Sequence, residues 1–489
     1  MKSSSQSRAI PDPTLALFLV AAGLVWALLA QDETVRIMIL LALLIPFGLW
    51  FTHRLATSAA TGAALLVVAS AMPRFTVEIG GMKARPEHIA AGLLCLTVPF
   101  LLKQRQKPTP WIYADYLLLA YLALNLFSSV FESVAPQQTL KTAVQQALVV
   151  APYFLLRILA ADRLGFRRVF RVFLIVGALE AAYGVVCYYS YLLLRTEFGV
   201  AVGQYGDIPG PYGTQYEANI LGAYCAASAV VMLAMYVQER RRAYLVGYAI
   251  TLAGMAIGLS RAALGATAVG LALLALWAKG AGALNRRVLL SIGTATLAVA
   301  LVILPALASS YVERFSTVDV GDITADDNTA YRVTTWALAL DNFARSPVFG
   351  RGTGSFLVEY GQGDPEADRG LWISNTELRV LHDTGIVGFT VFLLFLAALA
   401  RRAWRLLKHG PDPAFLALLL GAAAYCISFQ MTEGTLLAFT WVHLGLIACT
   451  LSMPQASGDE LPGRLAGAGK GGPLSDSSMR AGSGGAKNP

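Results

Sequence analysis

Residues 311–388 read YVERFSTVDVGDITADDNTAYRVTTWALALDNFARSPVFGRGTGSFLVEYGQGDPEADRGLWISNTELRVLHDTGIVG. This is the one long polar interval in a chain that otherwise alternates apolar runs with short polar breaks, and that contrast decides the fold. The whole chain is 56% hydrophobic and only 14% charged, with a mean hydropathy of +0.58. A water-soluble domain carries more charge than this on its surface. Many of the apolar runs approach or exceed the roughly 18 residues that cross a bilayer. These properties predict an all-α, polytopic integral membrane bundle of about 12–14 transmembrane helices with one long extracytoplasmic loop. The net charge of +8 need not mean nucleic acid, because Lys and Arg sit between the apolar runs, where they orient helices.

Candidate spans are 14–30, 35–51, 55–72, 88–102, 111–131, 141–160, 169–194, 218–238, 243–260, 262–278, 288–308, 385–403, 414–430 and 435–452. Basic clusters fall in every second break, from Lys2 and Arg8 through Arg240–Arg242 to Arg401, Arg402, Arg405 and Lys408. The alternate breaks carry Asp32 and Glu33, Glu132, segment 195–217 and the long loop. By the positive-inside rule both termini are cytoplasmic and the loop at 310–384 faces outward. The expected organisation is a cytoplasmic N-terminus (1–13), eleven helices (14–309), the loop (310–384), three helices (385–452) and a tail (453–489). The tail is rich in Gly, Ser and Ala and is expected to be disordered and dispensable. The first apolar run lacks a convincing cleavage site and is expected to remain as a span. The five cysteines all fall in apolar runs without metal-ligand spacing, which suits small buried side chains.

Two shorter outward breaks have unusual content. Segment 195–219, RTEFGVAVGQYGDIPGPYGTQYEAN, enters a span through Glu217 and Asn219; it suits either a cavity lining or a connector with interfacial tyrosines. In GLSRAALGA, Arg261 lies between two apolar runs with almost no loop around it. An ionisable group there faces a wet cavity or a partner, or snorkels to the interface.

Inside the long loop, residues 328–344 have helical spacing, with Val333, Trp336, Ala337, Leu340 and Ala344 as an apolar stripe and Arg332 beside it. Asp326, Asp327 and Asn328 are candidate caps, Pro347 follows the end, and the helix is expected to lie on the membrane with its stripe down. The glycines of SPVFGRGTGSF (346–356) suit either close approach to a phosphate or a turn with positive φ, and match neither a dinucleotide fingerprint nor a Walker loop. Arg351 in this stretch is a substrate-binding candidate. A second helical pattern covers 374–383. Ser374 and Glu377 have capping-box spacing, while Asn375, Arg379 and His382 share one face, suited to an anionic ligand or simply solvated.

These motifs resemble the O-antigen ligase/polymerase superfamily of bacterial envelopes. The matching elements are Ser260-Arg261 leading into a Gly- and Leu-rich span, Arg332-x-x-x-Trp336, SPVFGRGTGSF, and Asn375-x-x-Leu378 followed by LHDTGIVG (381–388). They cover about 255–400, with a weaker echo at 210–219. The resemblance implies a metal-independent glycosyltransferase of the bacterial inner membrane that needs no cofactor. Its implied partners are a polyprenyl-diphosphate-linked glycan donor, a glycan, lipid or protein acceptor, membrane lipid, and other polysaccharide assembly proteins, with no nucleic acid. Arg261 and Arg332 match the family's two important arginines, whose bidentate charge suits a diphosphate leaving group. The ligase pattern has His before the Asn, where this chain has Ser374. His382 and Glu377 are the nearest candidate bases, and the departure favours a repeat-unit polymerase over a lipid A core ligase. Arg379, Asn375, Arg351, Glu217 and Asn219 are expected to bind substrate. A transporter or flippase, or a non-catalytic glycan-assembly protein, is the competing reading; no duplicated broken helices point to the inverted repeats of a transporter.

Overall fold

The structure, a computed structural model, describes residues 58–79, 82–104, 110–316, 327–361, 372–408 and 411–453. The expected spans 14–30 and 35–51, the candidate cap Asp326, and the tail beyond Met453 lie outside them. In chain order the elements are α1 (Ala59–Ser70), β1 (Val77–Ile79), β2 (Met82–Ala84), α2 (Pro86–Gln104), α3 (Tyr113–Phe131), α4 (Pro136–Leu159) and α5 (Arg163–Leu194). They continue with β3 (Val200–Pro211), α6 (Ala218–Glu239), α7 (Arg242–Ile257), α8 (Arg261–Gly280) and α9 (Arg286–Ser316). The remainder comprises α10 (Asp327–Arg345), α11 (Ser355–Tyr360), α12 (Thr376–Leu407), α13 (Pro413–Ser428) and α14 (Ala438–Ser452).

The protein is a polytopic all-α membrane protein. Among the described residues seven helices are long and apolar enough to cross a membrane: α3, α4, α5, α6, α8, α9 and α12. Four shorter apolar helices, α1, α7, α13 and α14, pack with them. Each expected span from 55–72 onward coincides with one of these helices or with α2. The strands are confined to breaks: β1 and β2 form a small antiparallel hairpin pairing Val77 with Ala84.

The bundle is built around α6. Its sequence ANILGAYCAASAVVMLAMYVQE is apolar all round and rich in small residues, and its membrane window is entirely buried. Helices α5, α7, α8 and α13 surround it. Without a hydrophobic drive between helices in lipid, close packing through small side chains must hold them. At Gly270 of α8 an added Cβ would meet the Val230 side chain of α6 at 2.5 Å, so Val230 packs directly on the α8 backbone. Where α3 meets α4 the contact is ionic. Arg157 Nη1 lies 2.6 Å from Asp115 Oδ1, the Tyr153 hydroxyl donates to the same oxygen at 2.8 Å, and Ile112 N donates to Asp115 Oδ2. A buried pair tolerates low dielectric only with its remaining hydrogen bonds satisfied, and these partners supply them.

The breaks 71–86, 212–217, 346–354, 372–376 and 429–437 are hydrogen-bonded to one another or to their neighbours at one end of the bundle. Of the cysteines, Cys187, Cys225 and Cys449 are buried as expected, whereas Cys95 and Cys426 are exposed.

Candidate functional site

The site begins with an interrupted helix. The patterns at 374–383 and 385–403, read separately in the sequence, are one element, α12, broken at Gly385, whose φ of 64° and ψ of −170° are non-helical. That backbone region is open essentially only to glycine. The glycine loop fills the break. Arg351 N donates to His382 O at 3.0 Å, Gly352 N to Asp383 O at 3.0 Å, Ile386 N to Pro347 O at 2.9 Å and Val387 N to Val348 O at 3.2 Å. Gly350, Gly352 and Gly354 all have positive φ, of 74°, 91° and 74°. Of the two readings of these glycines, the close turn describes the structure, and what the backbone approaches is α12. Helix α3 clamps the other side: Ser128 Oγ donates to Asp383 O and accepts from Gly352 N, and Ser129 Oγ accepts from Thr353 N.

Beside the break lies a buried charge network. Arg379 is 4% exposed; its Nε donates to Asp383 Oδ2 at 3.3 Å and its Nη1 lies 2.8 Å from Glu433 Oε2, a close ion pair without a well-directed hydrogen bond. Asp383 also accepts from Gly354 N at 3.0 Å and pairs through Oδ1 with His382 Nδ1 at 2.9 Å. An ionised Asp383 places the His382 proton on Nδ1 and leaves Nε2 as the basic nitrogen. Among the described residues Nε2 meets no hydrogen-bond partner. An acid-oriented imidazole of this kind has the chemistry of a general base. It is also sealed: His382 is 0% exposed, and the Phe356 ring packs edge-on at 5.5 Å. The crevice at Arg379 and Asp383, closed by Phe356, Leu357, Trp372 and Ile373, has a volume of about 10 Å3, room for one water.

One expectation about this helix is corrected. Asn375, not Ser374, is the N-cap of α12: its Oδ1 accepts from Leu378 N at 2.8 Å. Both residue types cap well, but Asn375 Nδ2 also donates to Gln430 O at 3.1 Å, tying the cap to the break between α13 and α14. Glu377 Oε1 accepts from Gln430 Nε2 at 2.8 Å, and its Oε2 is buried without a partner among the described residues. Arg351 is half-buried and paired with Glu359, at 3.0 Å from Nε and 2.9 Å from Nη2.

Arg332 is half-buried near the start of α10. The expected stripe divides. Val333, Ala337, Leu340 and Ala344 are exposed as one apolar line, while Trp336 turns inward with Ala339 against Phe356, Ile373 and Leu378. The inward face is set one residue round from the predicted stripe because Thr335, Ala339 and Asn342 are its fully buried positions.

Arg261 stands elsewhere, as the first residue of α8, with Ser260 as N-cap accepting from Ala263 N. A guanidinium there adds to the positive end of the helix dipole instead of offsetting it, so the position favours an anion. The junction is strained as well: Leu259 has φ of 48°, an uncommon region for a branched side chain. It packs on the start of α6, where an added Cβ at Gly258 would meet Ala218 O at 3.0 Å. Glu217, the N-cap position of α6, and Asn219, both half-buried, thus lie at the same junction as Arg261. Beyond it, from Ala256 and Leu264, an apolar groove of about 270 Å3 lies between α7, α8 and α9, lined also by Leu252, Ile303, Leu304 and Tyr311 among others, with the Tyr311 hydroxyl donating to Ala256 O at 2.7 Å.

The structure thus gathers Asn375, Glu377, Arg379, His382 and Arg351 around the broken helix, and Arg261, Glu217 and Asn219 at the α6–α8 junction. Helix α13 connects the groups: it packs on α6 and α8, and Phe429 O at its end accepts from Thr376 N. Asp383 and Glu433 were missed by sequence reasoning. Asp383 lies inside the quoted LHDTG motif, and the signal that points to it is its i+4 spacing from Arg379. Glu433 lies in a short break with no local signal.

Residues 246–393 match a family model described as O-antigen ligase (Wzy_C). The match bears out the resemblance to the O-antigen ligase/polymerase superfamily, and it contains Arg261, Arg332, Arg351, Asn375, Glu377, Arg379 and His382. Glu217, Asn219 and Glu433 lie outside it. No curated protein matches the chain. In general terms the match supports membrane glycan ligase- or polymerase-type function.

Proposed function

We propose that the protein is a glycosyltransferase that takes a glycan from a polyprenyl diphosphate at the outer face of the cytoplasmic membrane and joins it to another glycan. The observation that carries this reading is Arg261, an arginine at the N-terminus of α8, one turn before Leu264, which lines an apolar groove. A ligand with a long apolar chain and an anionic head fits that combination: the chain follows Leu264, Ile303 and Leu304, and the head meets the guanidinium. In the reaction the anomeric C–O bond to the diphosphate breaks, its electron pair stays on the diphosphate oxygen, and an acceptor hydroxyl forms the new bond while losing its proton. Arg261 and Arg332 stabilise the departing charge with permanent, bidentate cations, a role that requires no metal. The proton goes to His382 through Nε2, oriented by Asp383, or to Glu377. Ser374 at the family's His position cannot act as an unaided base, which favours polymerisation of repeat units over transfer to a lipid A core.

The test is a deletion strain. Loss of polymer with lipid-linked repeat units accumulating on the outer face is the expected result; accumulation confined to the cytoplasmic face would replace the enzyme with a flippase. The orientation is checked separately. Single cysteines placed at exposed polar positions such as Asp341 of α10 are expected to react with an impermeant reagent in whole cells, and labelling only after lysis would reverse the topology.

A further inference from the structure

Three extracytoplasmic breaks, on the orientation proposed above, meet in a second cationic surface that the reaction scheme does not use. Arg74 follows α1, Arg85 precedes α2, and Tyr212 and Tyr216 precede α6. The Arg74 guanidinium lies over the Tyr212 ring, 3.6 Å from its centroid, and its Nη1 donates to Tyr216 O at 3.4 Å. The Arg85 guanidinium lies 5.2 Å from the centroid of Tyr216 and donates from Nη1 to Leu436 O at 2.9 Å. The Tyr216 hydroxyl donates to Pro73 O at 2.8 Å, and burial pushes its phenol up to about 12, so the ring stays neutral. Arg85 has Glu87 at 3.5 Å. Arg74 is exposed and, among the described residues, has no carboxylate in ion-pairing range.

This surface is held from below at considerable cost. Glu180, in the apolar helix α5, accepts from Thr214 N at 2.9 Å and lies 2.7 Å from the Thr214 hydroxyl, and Gln215 Nε2 donates to Ala71 O at 2.8 Å. An ionisable side chain inside a span marks function more often than packing, and here it fixes the loop that presents the two tyrosines. The surface also joins the broken-helix site: Leu436, which Arg85 holds, donates from its N to Glu433, the carboxylate paired with Arg379.

We propose that Arg74 and Arg85, backed by Tyr212 and Tyr216, bind an acidic saccharide, a sugar bearing a carboxylate or phosphate, within the glycan being joined. Aromatic faces take up the apolar faces of sugar rings, and each stacked arginine, its Nη1 held by a backbone carbonyl, has further N–H groups to offer an oxyanion. The naming of a glycan rests on the proposed transferase function, whereas the anion preference rests on the surface alone.

The test is binding to the purified full-length protein in detergent, with hexagalacturonate as the acidic probe, maltohexaose as the neutral one and undecaprenyl diphosphate as the lipid one. Hexagalacturonate is expected to bind about tenfold or more tightly than maltohexaose, with the preference falling as salt rises. Arg74→Ala should remove that preference and Arg74→Glu should reverse it, with undecaprenyl diphosphate binding and thermal stability unchanged. Arg85 is left in place because it also holds Leu436. Equal binding of the two oligosaccharides, or an Arg74→Ala protein that keeps the preference, overturns the proposal. Loss of undecaprenyl diphosphate binding in Arg74→Ala also overturns it, by assigning the surface to the donor's diphosphate. None of these measurements requires turnover, so failure of the transferase reading shows in polymer assays and leaves the binding result standing.

Discussion

Arg261→Ala is expected to lower polymer formation from purified lipid-linked donor by a factor on the order of 10²–10³, the cost of removing one fixed charge donor from a developing oxyanion. Arg261→Lys should recover only part of the rate, since a lysine keeps the charge and loses the fork. The site makes the difference large: the first turn of α8 is already electropositive, and Leu259 is held at φ of 48° to present that turn. Membrane levels and unfolding temperature are measured alongside, so that a loss of rate is separated from a loss of folding. Arg332→Ala should behave similarly, from the half-buried start of α10. The same assay separates the candidate bases. If His382 takes the proton, His382→Ala costs on the order of 10²–10⁴; if it only braces Asp383 behind Phe356, the loss is small and Glu377→Gln is the more damaging change. Full activity of both Arg261→Ala and Arg332→Ala at matched protein levels would end the catalytic reading of these helices.

The parts of this arrangement that depend on local pattern were legible in the chain. Apolar runs and the alternation of basic clusters mark the helices, and the helical period places α10 to within a residue at each end. The parts that depend on distant contacts were not. Apolar residues continue through Gly385, so periodicity alone cannot tell one broken helix from a loop helix followed by a span. The glycines of 346–356 show that a special backbone is required; that the required partner is the carbonyl row 382–383, clamped by Ser128 and Ser129 of α3, becomes visible only when segments more than two hundred residues apart meet. Ser374 and Asn375 are both good caps, and the choice between them is made by Gln430. Glu433, Arg74 and Arg85 sit in short breaks where charge reads as orientation. Their pairing with Arg379, Tyr212 and Tyr216 is tertiary.

Gly385→Ala is expected to dismantle the site while leaving the bundle in the membrane. An alanine at φ of 64° and ψ of −170° occupies a region essentially reserved for glycine, and its Cβ would lie 2.3 Å from Val348 O and 2.5 Å from Gly350 N. Those atoms are backbone, so they give way only if the loop leaves. The strain alone is worth about 1–3 kcal/mol. With the loop go the hydrogen bonds from Arg351 and Gly352 to α12, and Asp383 loses Gly354 N, one of its three partners. Gly350→Ala should fail in the same way, because its Cβ would meet Asp383, Thr384 and Gly385 backbone atoms at 2.5 Å. Gly265→Ala is the control: this glycine is exposed in helix α8, nothing lies within 4 Å of an added Cβ, and the change should be neutral or stabilising by about 0.5–1 kcal/mol. Thermal unfolding in detergent and polymer formation should fall together for the first two variants and for neither in the third. A Gly385→Ala protein with wild-type unfolding temperature and wild-type activity would mean that the broken helix and its glycine loop do not hold the site.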